Sequence, residues 1–211
     1  MTKIISKNGL ILAAFALIVT AIVTLTQQLT KDAITKQEQR YLLTLLEQVV
    51  EPSSYNNDLA NQCVLVTAPN VLGRTAAQRA FIAKNDGSPV AIAIETTAPN
   101  GYNGNIDLLV GVTLQGEVSG VRTLRHTETP GLGDKIEIAK SSWMDSFKGW
   151  FLSDNNQSHW RVKKDGGMFD QFTGATITPR AVVEATRKAV EYVNSHQTSI
   201  LQSTQACGGQ S

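Results

Sequence analysis

Cysteine is scarce in this sequence, and that scarcity excludes several kinds of redox centre. Only Cys63 and Cys207 occur, far apart, and neither lies in a C-x-x-C or C-x-x-C-H pattern. An iron–sulfur cluster on four cysteines, a cysteine zinc site and c-type haem attachment are therefore not expected within this chain. A redox cofactor would have to be organic or held by other ligands. The two thiols can pair in an oxidising compartment, but the sequence leaves that pairing open.

An excess of charge of either sign is also missing. The chain has 19 basic and 18 acidic side chains, a formal net charge of +1, no arginine-rich stripe and no long charge run. Proteins that bind nucleic acids usually carry a basic patch, so no nucleic-acid partner is predicted. The chain also lacks the glycine fingerprint of a dinucleotide site, so NAD binding by this chain is not expected.

Residues 8–30 contain no charged side chain, and residues 10–25 are almost wholly apolar. A helix that crosses a membrane needs about 20 such residues, so we predict a transmembrane anchor over residues 1–30. Lys3 and Lys7 precede the apolar run, whereas Lys31 stands next to Asp32. The positive-inside rule then puts the N-terminus in the cytoplasm. In a bacterium this predicts a single-pass inner-membrane protein with a periplasmic domain.

A cleaved signal peptide is the alternative interpretation of this segment. Its apolar region would be shorter, roughly 7–15 residues, and would end at a cleavage site made of small residues. No convincing site follows Leu25, and no cysteine follows closely enough for a lipoprotein anchor. The membrane anchor is therefore favoured.

The rest of the chain has the pattern of an α+β domain. A helix is predicted over residues 34–50, because apolar side chains recur on one face at positions 42, 45, 46 and 49. It is either a stalk above the membrane or the first helix of the domain. Strands are predicted over residues 63–66, 89–95, 106–113 and 118–124, the last two joined as an antiparallel hairpin. Further helices are predicted over residues 136–150 and from Thr178-Pro179 onwards.

We therefore expect an α+β fold in which one N-terminal transmembrane helix precedes a single domain with a mixed antiparallel sheet and flanking helices. The predicted boundaries are a juxtamembrane helix or stalk over residues 31–58 and the domain itself over residues 59–196. Residues 197–211 are rich in polar side chains and glycine, so they are expected to form a disordered tail.

The second strand of the hairpin leads into a loop, residues 126–134, that combines a proline, two glycines and several polar groups. Loops of this composition contact ligands when a rigid sheet supports them. His126 and Glu128 are possible metal ligands, but their spacing is short and no third ligand is evident. A role in structuring the loop is favoured, and no metal site is predicted.

The stretch from Asp170 to Pro179 is the strongest functional signal. Gly174 and Ala175 allow close approach of the backbone, and Thr173 and Thr176 put hydroxyls at the same place. Thr178-Pro179 is typical of a helix start, because the hydroxyl can cap the helix and proline suits its first turn. A phosphate binds well at a helix N-terminus, although plain turns of this composition are common.

The string Asp170-x-x-Thr173-Gly174-Ala175-Thr176 resembles the attachment motif of the FMN-binding domain family. Two further segments, Gly-Tyr-Asn-Gly at 101–104 and Thr-Pro-Gly-Leu-Gly at 129–133, precede it behind one N-terminal anchor. Together, and in this order, they resemble the G component of the Rnf (Rsx) electron-transport complexes. The C component of the sodium-translocating NADH:quinone reductase shares the flavin domain and is the alternative. The resemblance covers the anchor and about residues 59–194.

The resemblance implies FMN bound covalently to Thr176 through a phosphoester, placed there by a separate flavin transferase that uses FAD. Thr173, Gly174 and Ala175 complete the motif, and Asp170 matches its leading acid, which would serve the modifying enzyme. In such proteins the 129–133 loop lies against the isoalloxazine ring. The implied contacts there are Thr129, Gly131, Leu132 and Gly133, with Tyr102 a weaker candidate. Lys163 and Lys164 are possible counter-charges to the phosphate, although a solvated role is favoured.

The function implied is that of an electron relay, not catalytic alone, in a complex that couples electron transfer between ferredoxin and NAD to ion movement. Its partners would be the other Rnf subunits, the flavin transferase and the membrane. One rival hypothesis is a reductase module whose covalent FMN serves a catalytic partner domain. Another is a non-redox, anchored periplasmic binding or assembly module, which predicts no flavin.

Overall fold

The computed structural model describes residues 2–207, which divide into two compact units between residues 41 and 42. The first unit is formed by helix α1 (Thr2–Val49), whose last residues are part of the second unit. The apolar window of this helix has a mean hydropathy of 2.5, and none of it is buried. Threonine does not interrupt the helix, because hydroxyls such as that of Thr24 donate to the carbonyl four residues earlier, here at 2.8 Å. The helix is long and apolar enough to cross a membrane.

The second unit is built on a five-stranded antiparallel sheet whose spatial order follows the chain. The strands are β1 (Cys63–Val66), β2 (Gln78–Asn85), β3 (Ser88–Gly101), β4 (Gly104–Thr113) and β5 (Val118–Arg125). A short helix α2 (Pro69–Leu72) lies between the first two strands, and helix α3 (Ile177–Gln202) follows the sheet. The expected α+β fold with an antiparallel sheet is confirmed; β2 was not predicted. Asp86 and Gly87, with φ of 48° and 80°, close the β2–β3 hairpin, as two-residue hairpin turns require.

Each face of the sheet buries a separate apolar cluster. On one face, Ile92 and Val110 pack in a core with Val182 and Val193 of α3. On the other face, the last turns of α1 pack through Leu45, Leu46 and Val49 against Phe81 and Leu109. The predicted apolar face of the 34–50 helix is thus buried by the domain. Helix α3 therefore lies on the face opposite the end of α1, and its N-terminus is held by a rigid sheet.

The predicted helix over residues 136–150 is wrong. Two short 3-10 helices, Gly133–Ile136 and Ser142–Phe147, occupy this region instead. Their aromatic side chains enter a cluster in which Phe147 stacks on Phe169 at 4.5 Å and Trp143 meets Phe147 edge to face at 5.3 Å. Packing against residues distant in sequence overrides the local helical periodicity.

The expected disordered tail is also wrong for residues 197–207. Helix α3 continues to Gln202, because Ile200 is buried in the core. The chain then runs beside β1, where the Leu65 N–H donates to the Gln205 carbonyl at 2.8 Å. Cys207 forms a disulfide with Cys63, a pairing that the sequence alone left open. The last four residues of the predicted tail, 208–211, lie outside the described residues.

We expect the Cys63–Cys207 disulfide to contribute about 5 kcal/mol to the free energy of unfolding, because it closes a long loop in the unfolded chain. Its two cysteines are 144 residues apart in sequence. Urea titrations with and without a reductant measure this contribution. Cys63→Ala/Cys207→Ala is the control and should not respond to the reductant. Equal midpoints for the oxidised and reduced wild-type protein would contradict the prediction.

Candidate functional site

Residues 172–176, called the glycine turn here, link the body of the domain to α3. The Ala175 N–H donates to the Phe172 carbonyl at 3.1 Å and closes a four-residue turn. Gly174 occupies its third position with φ of 80°, a conformation that favours glycine. Thr173 and Gly174 are exposed, and Ala175 is half-buried. The turn therefore presents backbone and small side chains to solvent.

Thr176 is the N-cap residue of α3, so the helix starts before the predicted Thr178-Pro179. Its backbone is helical, with φ of −76° and ψ of −25°, and its side chain makes no capping hydrogen bond. An N-cap side chain normally reaches the helix N–H groups from an extended backbone, which explains the missing bond. The half-buried Thr176 hydroxyl is therefore not used to hold the helix together.

The loop over residues 129–133 forms a second tight turn. The N–H groups of Leu132 and Gly133 both donate to the Thr129 carbonyl at 3.1 Å. Pro130 followed by Gly131, with φ of 78°, is the sequence that a type II turn prefers. Leu132 is 43% exposed. Thr129 is half-buried.

The two turns lie against each other. A Cβ placed on Gly174 would lie 3.6 Å from Cδ2 of Leu132, which is ordinary van der Waals contact. Gly174 and Leu132 are 42 residues apart in sequence, so only the fold brings them together. The structure thus unites two of the predicted motifs in one surface site.

Glu128 joins the third motif, the hairpin tip at 101–104, to the same place. Its side chain is only 5% exposed. One carboxylate oxygen accepts the Asn103 N–H at 3.1 Å, and the other accepts the hydroxyl of Thr178 in the first turn of α3. Glu128 therefore has the loop-structuring role that was favoured over metal binding. It contacts Asn103, whereas Tyr102 in the same tip is 66% exposed.

Glycine is required on both sides of this carboxylate. A Cβ on Gly133 would lie 2.7 Å from Glu128 Oε2 and 2.8 Å from Thr178 Oγ1. A Cβ on Gly101 would lie 2.8 Å from Glu128 Oε1. Real Cβ atoms are essentially never this close to another heavy atom, so these glycines permit the close approach of the three segments.

Asp170 precedes the glycine turn in the chain, and its polar contacts are with residues outside that turn. Its exposed carboxylate pairs with Lys163 at 2.6 Å, and its carbonyl accepts the Trp143 indole N–H at 2.8 Å. Lys164 is held through its backbone N–H by the side chain of Gln171 at 3.2 Å. Another cation, Lys135, lies with its Nζ 6.0 Å from the centre of the Phe172 ring. No spacing in the sequence indicated Lys135, because it approaches from a different segment.

His126 has a structural position beside Glu128. Its Nδ1 accepts the Glu128 N–H at 3.0 Å, and its Nε2 is 2.9 Å from Glu137 Oε1. Within residues 2–207, no group of three or more His, Cys, Asp or Glu side chains is arranged to hold a metal ion. The imidazole thus ties the loop to the following 3-10 segment.

Lys140 stabilises the 3-10 segment that follows the loop. Lys140 pairs with Asp134 and Glu137, each at 2.8 Å. The hydrogen bond from Lys140 is the main reason why the pKa of each carboxyl lies below its usual value, and the Gly131 N–H adds to the effect at Asp134. The same pairs raise the pKa of Lys140.

The lowered carboxyl pKa values give a pH-dependent contribution to stability. Because both values are lower in the folded state, the contribution is present above the unfolded pKa, about 4, and is lost as pH falls through the folded values. We expect Lys140→Met to lower the urea midpoint at pH 7, with the difference from wild type vanishing in more acidic buffer. Lys148→Met is the control, since Lys148 forms no ion pair within residues 2–207. A difference that persists unchanged to pH 2 would contradict this account.

Two family models of known proteins match parts of this chain. A family model described as FMN-binding domain covers residues 101–191, which include the hairpin tip, the 129–133 loop and the glycine turn. A model described as RnfG N-terminal region covers residues 1–49. The site and the fold thus define an FMN-binding domain behind a long apolar N-terminal helix.

Full-length relatives identify the family. The G component of the ion-translocating oxidoreductase complex of Vibrio cholerae serotype O1 is 53% identical over 210 residues, which cover 100% of both chains. Those of Vibrio vulnificus and Shewanella oneidensis are 52% and 51% identical over 99% and 95% of both chains. The chain belongs to the family of G components of ion-translocating oxidoreductase complexes. The resemblance to the Rnf G component is thereby confirmed.

Proposed function

We propose that this chain carries FMN on the hydroxyl of Thr176 through a phosphoester bond and relays electrons in an Rnf-type complex. The observation that carries the proposal is the Thr176 side chain, which starts α3 without capping it. Its oxygen can be esterified without breaking any hydrogen bond that holds the helix. Thr178 is a poorer acceptor, because it is fully buried and bonded to Glu128.

The residues around Thr176 suit a phosphate. The N–H groups of Ile177 and Thr178 donate to no residue within the described part of the chain, as is usual in the first turn of a helix. Free N–H groups and the positive end of the helix dipole both favour an anion. Lys135 is the nearby cation that we expect to contribute to phosphate binding, since Lys163 is paired with Asp170.

The residues around the turn also suit an apolar ring. Leu132 is 43% exposed and lies next to Gly174. Ile177 is 46% exposed and follows Thr176 in the chain. Large apolar side chains left open at a site commonly mark where a ligand binds. Gly131 and Gly174 leave the backbone free of side chains there, so a planar group can approach closely.

FMN supplies the redox chemistry when bound, whereas the protein supplies attachment, orientation and electrostatics. The site is open, with Tyr102 and Leu132 on the surface, which suits exchange of electrons with partner subunits. The relatives' name, ion-translocating oxidoreductase complex, supports a role coupled to ion movement. In this proposal other subunits handle ferredoxin and NAD, and a flavin transferase loads Thr176.

The proposed location of the domain is the periplasm, with the N-terminus of α1 in the cytoplasm. Lys3 and Lys7 before the apolar run support this orientation through the positive-inside rule. The Cys63–Cys207 disulfide supports it independently, because such bonds persist mainly in oxidising compartments.

The first experiment is coexpression of the full chain with a flavin transferase of the type that uses FAD. Denaturing gel electrophoresis should show a fluorescent band, and mass spectrometry should find FMN on the peptide that contains Thr176. A sample without the transferase is the control and should be dark. A dark band from correctly exported protein with an active transferase would reject covalent attachment and leave FMN bound without a covalent bond as the remaining account.

A further inference from the structure

We propose that Glu128 is a positioning residue for the flavin site. Its buried carboxylate joins the hairpin tip and the 129–133 loop to the first turn of α3, and its negative charge lowers the reduction potential of the flavin attached there. The second part rests on the proposed function, whereas the first concerns the protein without flavin. No motif resemblance assigned a role to Glu128.

The contacts show what this carboxylate links. Its two oxygens accept from two donors, the Asn103 N–H and the Thr178 hydroxyl, which lie 25 and 50 residues away in sequence. A carboxylate has only acceptors, so it satisfies both donors in one rotamer. Glutamine can keep both links, because its amide oxygen can accept the Asn103 N–H and its N–H can donate to the Thr178 oxygen, so it removes only the charge. Alanine removes the links as well.

The carboxylate has no room to turn away. Gly101 approaches it from the hairpin tip and Gly133 from the loop, and a Cβ on either glycine would lie within 2.8 Å of a carboxylate oxygen. The backbone of Glu128 is held as well, since its N–H donates to His126 Nδ1 at 3.0 Å. The side chain is therefore held where it links the 129–133 loop to α3.

The charge of Glu128 is not neutralised locally. Among residues 2–207, no lysine, arginine or histidine forms an ion pair with it. The two hydrogen bonds stabilise the buried negative charge, and so does the positive end of the α3 dipole, which lies next to Thr178. A buried negative charge is screened little by salt. It therefore opposes the addition of an electron to a flavin held at the same helix start.

The substitution that separates charge from shape is Glu128→Gln. The matched control is Glu95→Gln on β3, because Glu95 is also largely buried and accepts from Arg79 through both its oxygens. Both variants, and Glu128→Ala, which removes the hydrogen bonds as well as the charge, are made in the full chain with and without the flavin transferase. The measurements are hydrogen exchange at the Asn103 amide, the covalent flavin yield and the midpoint potential of the bound flavin.

For Glu128→Gln we expect a higher midpoint potential in the flavin-loaded protein, and for Glu128→Ala at least tenfold faster exchange at Asn103 in the flavin-free protein. Glu95→Gln should lower global stability but leave the potential as in wild type. Wild-type exchange at Asn103 in Glu128→Ala would overturn the positioning role. An unchanged potential would overturn the electrostatic role. A wild-type protein that takes up no flavin would reject the proposed function, while the exchange result would still test the positioning.

If Glu128→Ala does not fold, Thr178 provides the second test. Thr178→Val removes the hydroxyl donor and keeps the shape, whereas Thr178→Ser keeps the donor. We expect faster exchange at Asn103 in the valine variant only, because the carboxylate then loses one of its two partners. Equal exchange in both variants would overturn the proposal.

Discussion

Thr176→Ala is expected to abolish covalent flavin attachment and leave a folded domain. The substitution removes the only oxygen that could form the ester at this position. It should affect stability little, because the hydroxyl makes no capping hydrogen bond and the side chain is only half-buried. Flavin fluorescence in a denaturing gel measures attachment, and the urea midpoint measures stability.

Two control variants make this result specific to one oxygen. Thr176→Ser keeps a hydroxyl and should be flavinylated. Thr198→Ala removes an exposed hydroxyl on α3, outside the motif, and should also be flavinylated. Covalent flavin on the Thr176→Ala protein would contradict the assignment, and the modified peptide would then identify the true acceptor.

Gly111→Ala is expected to destabilise the domain strongly. Gly111 lies on β4 opposite Gly120 on β5, where the end of α1 packs on the sheet. A Cβ on Gly111 would overlap the carbonyl oxygen of Val49 and would lie 2.5 Å from Ser119 Oγ. The helix end would have to shift, so we expect a loss of about 3 kcal/mol or more in the free energy of unfolding, measured by urea titration.

Two controls distinguish the steric effect from other causes. Gly9→Ala makes the same substitution where no heavy atom lies within 4 Å of the added Cβ, and it should not destabilise the domain. Ser119→Ala removes the hydrogen bond from Ser119 to the Val49 carbonyl without adding an atom, so its effect should be about 1 kcal/mol. A Gly111→Ala protein as stable as wild type would show that the end of α1 does not pack here.

Features that depend on neighbouring residues were predictable from the sequence. The apolar run of α1, the hairpin of β4 and β5, and the turn around Gly174 each follow from spacing within a few residues. The motif around Thr176 was recognisable for the same reason, because its residues are contiguous. Strand β2 was missed, since no clear alternation in its residues indicated a strand.

Features that join distant segments required the folded chain. The pairing of Cys63 with Cys207 spans 144 residues. The two bonds of Glu128 span 25 and 50 residues. The contact of Leu132 with Gly174 is likewise long-range. Local propensity carries no information about which distant groups will satisfy a buried carboxylate or cover an apolar face. The motif around the proposed attachment residue was therefore recognisable in the sequence, whereas the geometry that holds its surroundings depends on packing across the sheet.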